Sequence, residues 1–271
     1  MSVAEAFDDA GLWGRIDAWL HALRLPGAAA HCRALAQEGV GEETVRTLEG
    51  VLAAELESRE LRRYQRNLRT ARFPVIKELG AFDFSAVPTV PKARVEELAT
   101  GRFVSASECV ILVGNPGTGK THLLIGLGME AIRKGLRVRF VTASTLVNEL
   151  LLARAELRIP KLLRFYGAFD LVLVDELGYV PFNREAAQLL FEFFSDRYET
   201  RATALTTNLP FAQWTQVFGD ETMTVALLDR LTHRSHVLLL NGESYRLKES
   251  RRRMPPRSAD PSSPEGEVKP S

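Results

Sequence analysis

Hydrophobic positions recur along this chain at two different periods, and the change of period divides it. From residue 1 to about 72 the spacing is helical. Leu12, Ile16, Trp19, Leu20 and Leu23 form one apolar stripe, and Leu48, Leu52 and Leu56 form another. Pro26-Gly27 and Gly39-Val40-Gly41 punctuate the stripes, so the pattern predicts a small all-α domain over 1–72. A proline- and glycine-spaced linker, "FPVIKELGAFDFSAVPTVPK", occupies about 73–93. From Arg94 to about 250 short apolar runs alternate with helical segments, as in a mostly parallel sheet with helices on its faces. Strands are expected at 109–114, 137–142, 169–175, 202–207 and 236–240, which makes the core α/β with five strands. The tail over 251–271, "RRRMPPRSADPSSPEGEVKPS", is rich in Pro and Ser, lacks apolar anchors and is expected to be disordered.

Composition narrows the class. A chain of 271 residues holds one sizeable domain and a smaller one. With 45% hydrophobic and 25% charged residues it has an ordinary soluble composition. No apolar run approaches the roughly 18 residues of a membrane span, and the N-terminus carries acids where a signal peptide carries lysines, so the expected location is the cytoplasm, with no membrane partner. Cys32 and Cys109 lie far apart without metal-ligand spacing, which favours buried reduced thiols over a zinc site. The 35 basic residues nearly balance 34 acidic ones, so only a local concentration of charge can point to nucleic acid.

Such a concentration exists. "RELRRYQRNLRTAR", residues 59–72, holds six arginines and one acid, Glu60. On a helix, Arg59, Arg62, Arg63, Arg66 and Arg69 fall within an arc of about 120°, with Leu61, Tyr64, Leu68 and Ala71 opposite and Arg72 off the arc. Two readings stand: a solvated helix face, or a row of guanidinium groups for a DNA backbone, where counterion release drives binding. A second basic run, "LLLARAELRIPKLLRFYG", follows the second strand and contains Arg154, Arg158 and Lys161.

The most specific string is "GNPGTGKT", Gly114 to Thr121, between an apolar strand and the helix-patterned "HLLIGLGMEAIRK". It fits GxxxxGK[ST] in the required strand-to-helix context. Glycines 114, 117 and 119 let the loop of Asn115, Pro116 and Thr118 turn its N–H groups toward phosphates, and the next helix presents its positive end. Lys120 is expected to reach the β- and γ-phosphates of ATP, and the Thr121 hydroxyl to bind Mg²⁺. "FDLVLVDELGYVP" then supplies an apolar strand ending in acids, Asp175 for the Mg²⁺ shell and Glu176 to orient and polarise the attacking water. "ATALTTN" places Asn208 after a later strand, between the phosphate loop and Glu176.

Those three pieces in that order, "GNPGTGKTHL", "LVLVDELGYVP" and "TTNLP", resemble the AAA+ ATPases. More narrowly they resemble the IstB/DnaC-like family, the ATP-binding helpers of insertion-sequence transposition and the related bacterial helicase loaders. The resemblance covers about residues 1–250. It implies a Walker A motif at Gly114–Thr121 with His122 after it, a Walker B pair at Asp175 and Glu176, and sensor 1 at Asn208. It further implies an arginine finger at Arg230 in "LLDRL" and a sensor 2 arginine at Arg246 in "ESYR". The helical lid that follows many AAA+ cores is truncated or absent. A finger of this kind completes a neighbour's site, so a homo-oligomer, ring or filament, is implied. In initiator and loader relatives the second basic run lines a pore, which makes Arg154, Arg158 and Lys161 candidate phosphate contacts. The function implied is an ATPase that oligomerises on duplex DNA, largely without sequence preference, and assists or targets the transposase of its element. The alternative is a DnaC-type helicase loader on single-stranded DNA. The N-terminal pattern, Trp13 and Trp19 followed by the arginine run, is closer to the insertion-sequence proteins. A P-loop kinase would not require the acid pair, Asn208 and a basic arm together.

Overall fold

The helical stripes close on one another first. In the computed structural model, which describes residues 11–179, 182–242 and 244–245, helices α1 (Leu12–Ala22), α2 (Pro26–Glu38) and α3 (Glu42–Ala71) bury Ile16, Trp19, Leu20 and Leu23 against Cys32, Val45, Leu52 and Leu56. Glu42 and Glu43 begin α3 where its dipole favours acids, and Arg72 ends it in a left-handed conformation, φ 56°.

Helix α3 has 30 residues and belongs to two cores. Its first half packs in the bundle; beyond Arg59, Tyr64, Leu68 and Ala71 pack on the core that follows. Asn67 fixes the junction, its buried side-chain amide donating to the carbonyls of Gly135 and Leu136 at 3.1 Å each. Residues 73–91 run along the next domain in two 3₁₀ turns, Leu79–Ala81 and Phe84–Ala86.

The remaining elements are α4 (Lys92–Ala99), α5 (Arg102–Ser105), β1 (Cys109–Gly114), α6 (Lys120–Arg133), β2 (Val138–Thr142), α7 (Ala143–Ala155), α8 (Ile159–Gly167), β3 (Leu171–Leu177), α9 (Arg184–Arg197), β4 (Ala202–Thr207), α10 (Thr215–Phe218), α11 (Glu221–His233) and β5 (Ser235–Leu240). The strands form one sheet in the order β2-β3-β4-β1-β5, every pairing parallel. Val, Ile and Leu fill β1 and β3 because both faces are covered, α6 with α3 to α5 on one and α7 to α11 on the other. The five expected strands are present, with ends displaced by at most two residues.

Three features position the chemistry. Strands β3, β4 and β1 are adjacent, so their C-terminal ends bring Asp175, Asn208 and the phosphate loop to one rim of the sheet. Strand β3 also breaks register between Val174 and Leu177, a bulge that re-aims its acidic end. On one flank β2 is an edge strand, pairing only with β3. Among the described residues no helix is long and apolar enough to cross a membrane. The expected disordered tail and the lid region after Tyr245 lie outside the described residues.

Candidate active site and basic crevice

The phosphate loop leaves β1 at Gly114 and enters α6 at Lys120. Gly117 and Gly119 have φ of 84° and 91°, a conformation L side chains rarely adopt. Space also forbids a side chain: a Cβ at Gly119 would come within 2.7 Å of Phe82, and one at Gly117 would collide with Ser244. The loop is thus held from both sides, by the segment preceding the core and by the chain after β5, where the Tyr245 N–H donates to the Gly117 carbonyl at 3.0 Å. Within it, Thr118 Oγ1 donates to the Asn115 carbonyl at 2.9 Å. Lys120 Nζ donates to the carbonyls of Gly114 and Asn115 at 2.6 and 2.8 Å. Pro116 opens the turn that follows Asn115. The His122 imidazole meets the Glu78 carbonyl at 2.8 Å and stands edge-on to Phe82.

Two acids follow on β3 with opposite surroundings. Asp175 is only 4% exposed and accepts from Thr121 Oγ1 at 3.0 and 3.1 Å and from Thr206 Oγ1 at 2.6 Å. Glu176 is exposed and left-handed, φ 62°, at the β3 bulge. A non-glycine residue so strained is retained where its surroundings over-determine it. Here the determinant is Thr206, whose Oγ1 accepts from the Glu176 N–H at 2.8 Å while donating to Asp175. One hydroxyl therefore holds both acids. Asn208 follows β4 directly, between the strands that carry the loop and the acids.

Arg230 lies elsewhere. It caps the face of Phe191, guanidinium to ring centroid 4.6 Å, and borders a small cavity with Glu108, Cys109 and Arg234. Cys109 begins β1 and Gly114 ends it, so Arg230 and its own phosphate loop are roughly 17 Å apart along the strand. Arg246 lies outside the described residues. Burial drives the Cys109 thiol up to about 12 and raises that of Cys32, so neither is an activated nucleophile.

The arginine row differs from the expected single stripe. Arg62, Arg66 and Arg69 line a crevice of about 550 Å³ together with Arg72, Arg139 and Phe165. Arg59 instead ties α3 to α1, donating to Glu55 at 2.6 Å and to the Leu23 carbonyl at 2.9 Å. The Arg63 guanidinium lies against Gly135, where a Cβ would approach its Cζ to 2.7 Å. Five residues within 120° still span two walls once a second domain abuts the helix. Leu61 departs as well: expected on the packed face, it is 56% exposed, because the two cores meet α3 on either side of it. Arg72, set aside on the helical wheel, joins the row because its left-handed backbone takes it off the helical path.

In the second basic run, Arg154 and Arg158 do not share a helix. Helix α7 ends at Ala155, Leu157 is left-handed at φ 56°, and Arg158 is the residue before α8. Both are exposed and ion-paired, Arg154 with Glu185 at 3.3 Å and Arg158 with Glu156 at 3.1 Å. Lys161 is exposed on α8, one turn before Phe165.

With this geometry in view, the matches to known proteins are specific. Residues 18–253 match the family described as IstB-like ATP binding protein. The chain belongs to that family. It is 37% identical over 239 residues, 88% of this chain and 95% of the relative, to an ATP-binding protein named for insertion sequence IS5376 of Geobacillus stearothermophilus. It is 43% identical over 201 residues, 74% of this chain and 76% of the relative, to one named for insertion sequence IS21 of Pseudomonas aeruginosa. Among solved structures, AMPPCP-bound DnaA from Aquifex aeolicus matches 65% of this chain and 54% of its own, with a TM-score of 0.52 at 20% identity. DnaI matches 60% of this chain and 90% of its own, TM-score 0.52 at 17% identity. At those identities the likeness establishes the AAA+ fold alone.

Family membership makes the missed residues more informative. In "ATALTT" Thr206 is one hydroxyl among several, because its role depends on β3 and β4 being neighbours. Phe82 and Glu78 belong to the linker by sequence, yet both touch the loop or its helix; the aromatic pair in "AFDF" is the available signal. Arg139 is an arginine inside an apolar strand, a local signal for a buried cation.

Proposed function

We propose that this member of the family is a Mg²⁺-dependent ATPase that oligomerises on duplex DNA and assists or targets the transposase of its insertion sequence. The observation that carries the hydrolytic part is the Thr206 hydroxyl, which bonds the buried Asp175 and the backbone of the exposed Glu176 at once. The loop N–H groups and the start of α6 favour the phosphate chain, and Lys120 exchanges its loop carbonyls for β- and γ-phosphate oxygens. Thr121 Oγ1 and the Asp175 carboxylate are hard oxygen donors that fit Mg²⁺, which when bound offsets the charge on those phosphates. Glu176 takes a proton from the attacking water as its oxygen bonds the γ-phosphorus and the bond to the β–γ bridging oxygen breaks. Asn208 orients that water.

Arg230, far from its own loop, serves the site of a neighbouring subunit, where a guanidinium stabilises the transferring phosphoryl group. This makes the oligomer part of the active site. Arg246 is assigned to the γ-phosphate on resemblance alone. The names of the relatives support the transposition context, and the row of Arg62, Arg66 and Arg69 supports DNA as the polyanion.

The test is a binding comparison on duplex and single-stranded DNA, with and without ATP, with electron microscopy of the bound species. ATP-dependent rings or filaments on duplex are expected. A strong preference for single strands would instead identify a helicase loader. ATP-dependent assembly that survives Arg230→Ala together with unchanged turnover would remove the arginine finger.

A further inference from the structure

Arg139 is 6% exposed, lies on edge strand β2, and its Nε is buried without a hydrogen-bond partner among the described residues. No carboxylate of those residues lies within ion-pair distance of it; the hydroxyl of its neighbour Tyr166, which donates to Glu149 at 2.6 Å, also interacts with the guanidinium and leaves Nε unpaired. The guanidinium is held by the Thr70 carbonyl at 3.3 Å from α3 and by the ring of Phe165, 5.6 Å away, from α8. It therefore bridges the sheet edge from the helices of one face to those of the other. A buried cation with an orphaned donor is costly unless an anion completes it.

The crevice above it supplies the setting. Arg62, Arg66, Arg69 and Arg72 are all exposed and, among the described residues, none has an ion pair. Five guanidinium groups thus converge on one open space with no acid lining it. Such a concentration repels itself and is relieved by a polyanion. The crevice is open to solvent, unlike a closed pocket for a small anion, and Lys161 lies one helical turn from Phe165 on α8.

Resting on the reading of α3 as a DNA-binding element, we infer that the DNA backbone is gripped in this crevice, at the seam between the helical bundle and the ATPase core. Arg139 is the buried phosphate ligand at its floor, and Arg72 is part of the row. Arg59 and Arg63 position α3 and take no part. Because α3 forms one wall and the β2–α8 edge the other, a bound phosphate cross-links the two domains. DNA occupancy then stiffens their docking, in addition to the bonds of Asn67.

The experiment measures duplex-DNA affinity of the full chain by fluorescence anisotropy over a salt series. The variants are Arg139→Ala, Arg139→Lys, Arg72→Ala, and Arg62→Ala/Arg66→Ala/Arg69→Ala combined. ATP binding and thermal melting accompany each to register folding. Loss of one phosphate contact lowers the salt slope by about one. The expected result is a drop of that size for Arg139→Ala and for Arg72→Ala, with Arg139→Lys in between because it keeps the charge and loses the fork. Should Arg139→Ala fail to fold, Arg139→Lys and the surface variant Arg72→Ala decide alone. Unchanged slopes for Arg72→Ala and both Arg139 variants, with weakened binding by the triple variant, would overturn the crevice and leave α3 as the DNA element. If the triple variant also bound like the parent, the α3 reading itself would fall.

Discussion

Arg197 and Arg139 are both buried arginines beside the same sheet, and their surroundings are opposite. Arg197 donates to the carbonyls of Tyr166, Ala202 and Phe169 and to Thr203 Oγ1, at 2.6 to 3.5 Å. Burial lowers its pKa to about 10, and its charge is spread over three carbonyl dipoles and a hydroxyl. Arg139 has one carbonyl, the Tyr166 hydroxyl, an aromatic face and an idle Nε. The first is a staple that ties α9 to the loops around β3 and β4. The second lies buried at the border of the open crevice. The phosphate-loop rim follows the Arg197 pattern, with Asp175 and Glu176 both fixed by Thr206, whereas the α3 crevice follows the Arg139 pattern. Groups fixed by their own protein set catalytic geometry or stability; groups without internal partners are available to a ligand.

The sharpest way to break this contrast is to remove a fixed group at the rim. Glu176→Gln is expected to keep ATP affinity within about twofold and to lower turnover by roughly a thousandfold, or about 4 kcal/mol of barrier. Single-turnover hydrolysis beside nucleotide binding reads both, and undiminished hydrolysis would remove Glu176 as the base. Next comes Arg197→Met, which removes the buried guanidinium hydrogen bonds and should cost about 3 kcal/mol of stability without changing DNA affinity per folded molecule. Denaturant unfolding measures it; a loss under about 1 kcal/mol would show that the carbonyl network is not the staple described.

A smaller and more discriminating effect is expected at Thr206. Thr206→Val keeps the shape and removes the hydroxyl, costing about 1–2 kcal/mol of stability, while turnover falls further than ATP affinity because Glu176 loses its backbone anchor. Thr206→Ser should restore turnover. If valine and serine behaved alike, the hydroxyl would have no part in holding the acids.

These residues differ in how much of their role the linear sequence carries. The loop, Asp175 and Glu176 are legible because strand, glycine turn and helix are contiguous, and because a buried strand ending in acids is unusual on local grounds alone. The five strands were equally plain from their apolar runs. Thr206 and Arg139 were not, since each acquires its role from a neighbour brought by sheet order or domain docking. The arginine row falls between: its helical periodicity was sound over 59–71, but a wheel assumes one environment, and α3 passes between two cores. That splits Arg59 and Arg63 from Arg62, Arg66 and Arg69, exposes Leu61 and recruits Arg72.

The weakest expected effect tests the contrast from its other side. Arg154 and Arg158 are surface cations like those of the crevice, and the resemblance to initiators and loaders makes them candidates for DNA. Each already faces a carboxylate, Glu185 or Glu156, with all four side chains largely open to water. Exposed pairs of this kind contribute roughly 0–1 kcal/mol, and a phosphate would have to displace the acid and tolerate it nearby. Arg154→Ala and Arg158→Ala together are therefore expected to change duplex affinity by less than about threefold and the salt slope by well under one. Glu185→Gln and Glu156→Gln reverse the logic: if internal pairing is what withholds these arginines, freeing them should strengthen binding and steepen the slope. A marked loss of slope in the double alanine variant would mean that the surface pairs open for DNA, and that ion pairing in the free chain does not separate ligand-binding cations from the rest.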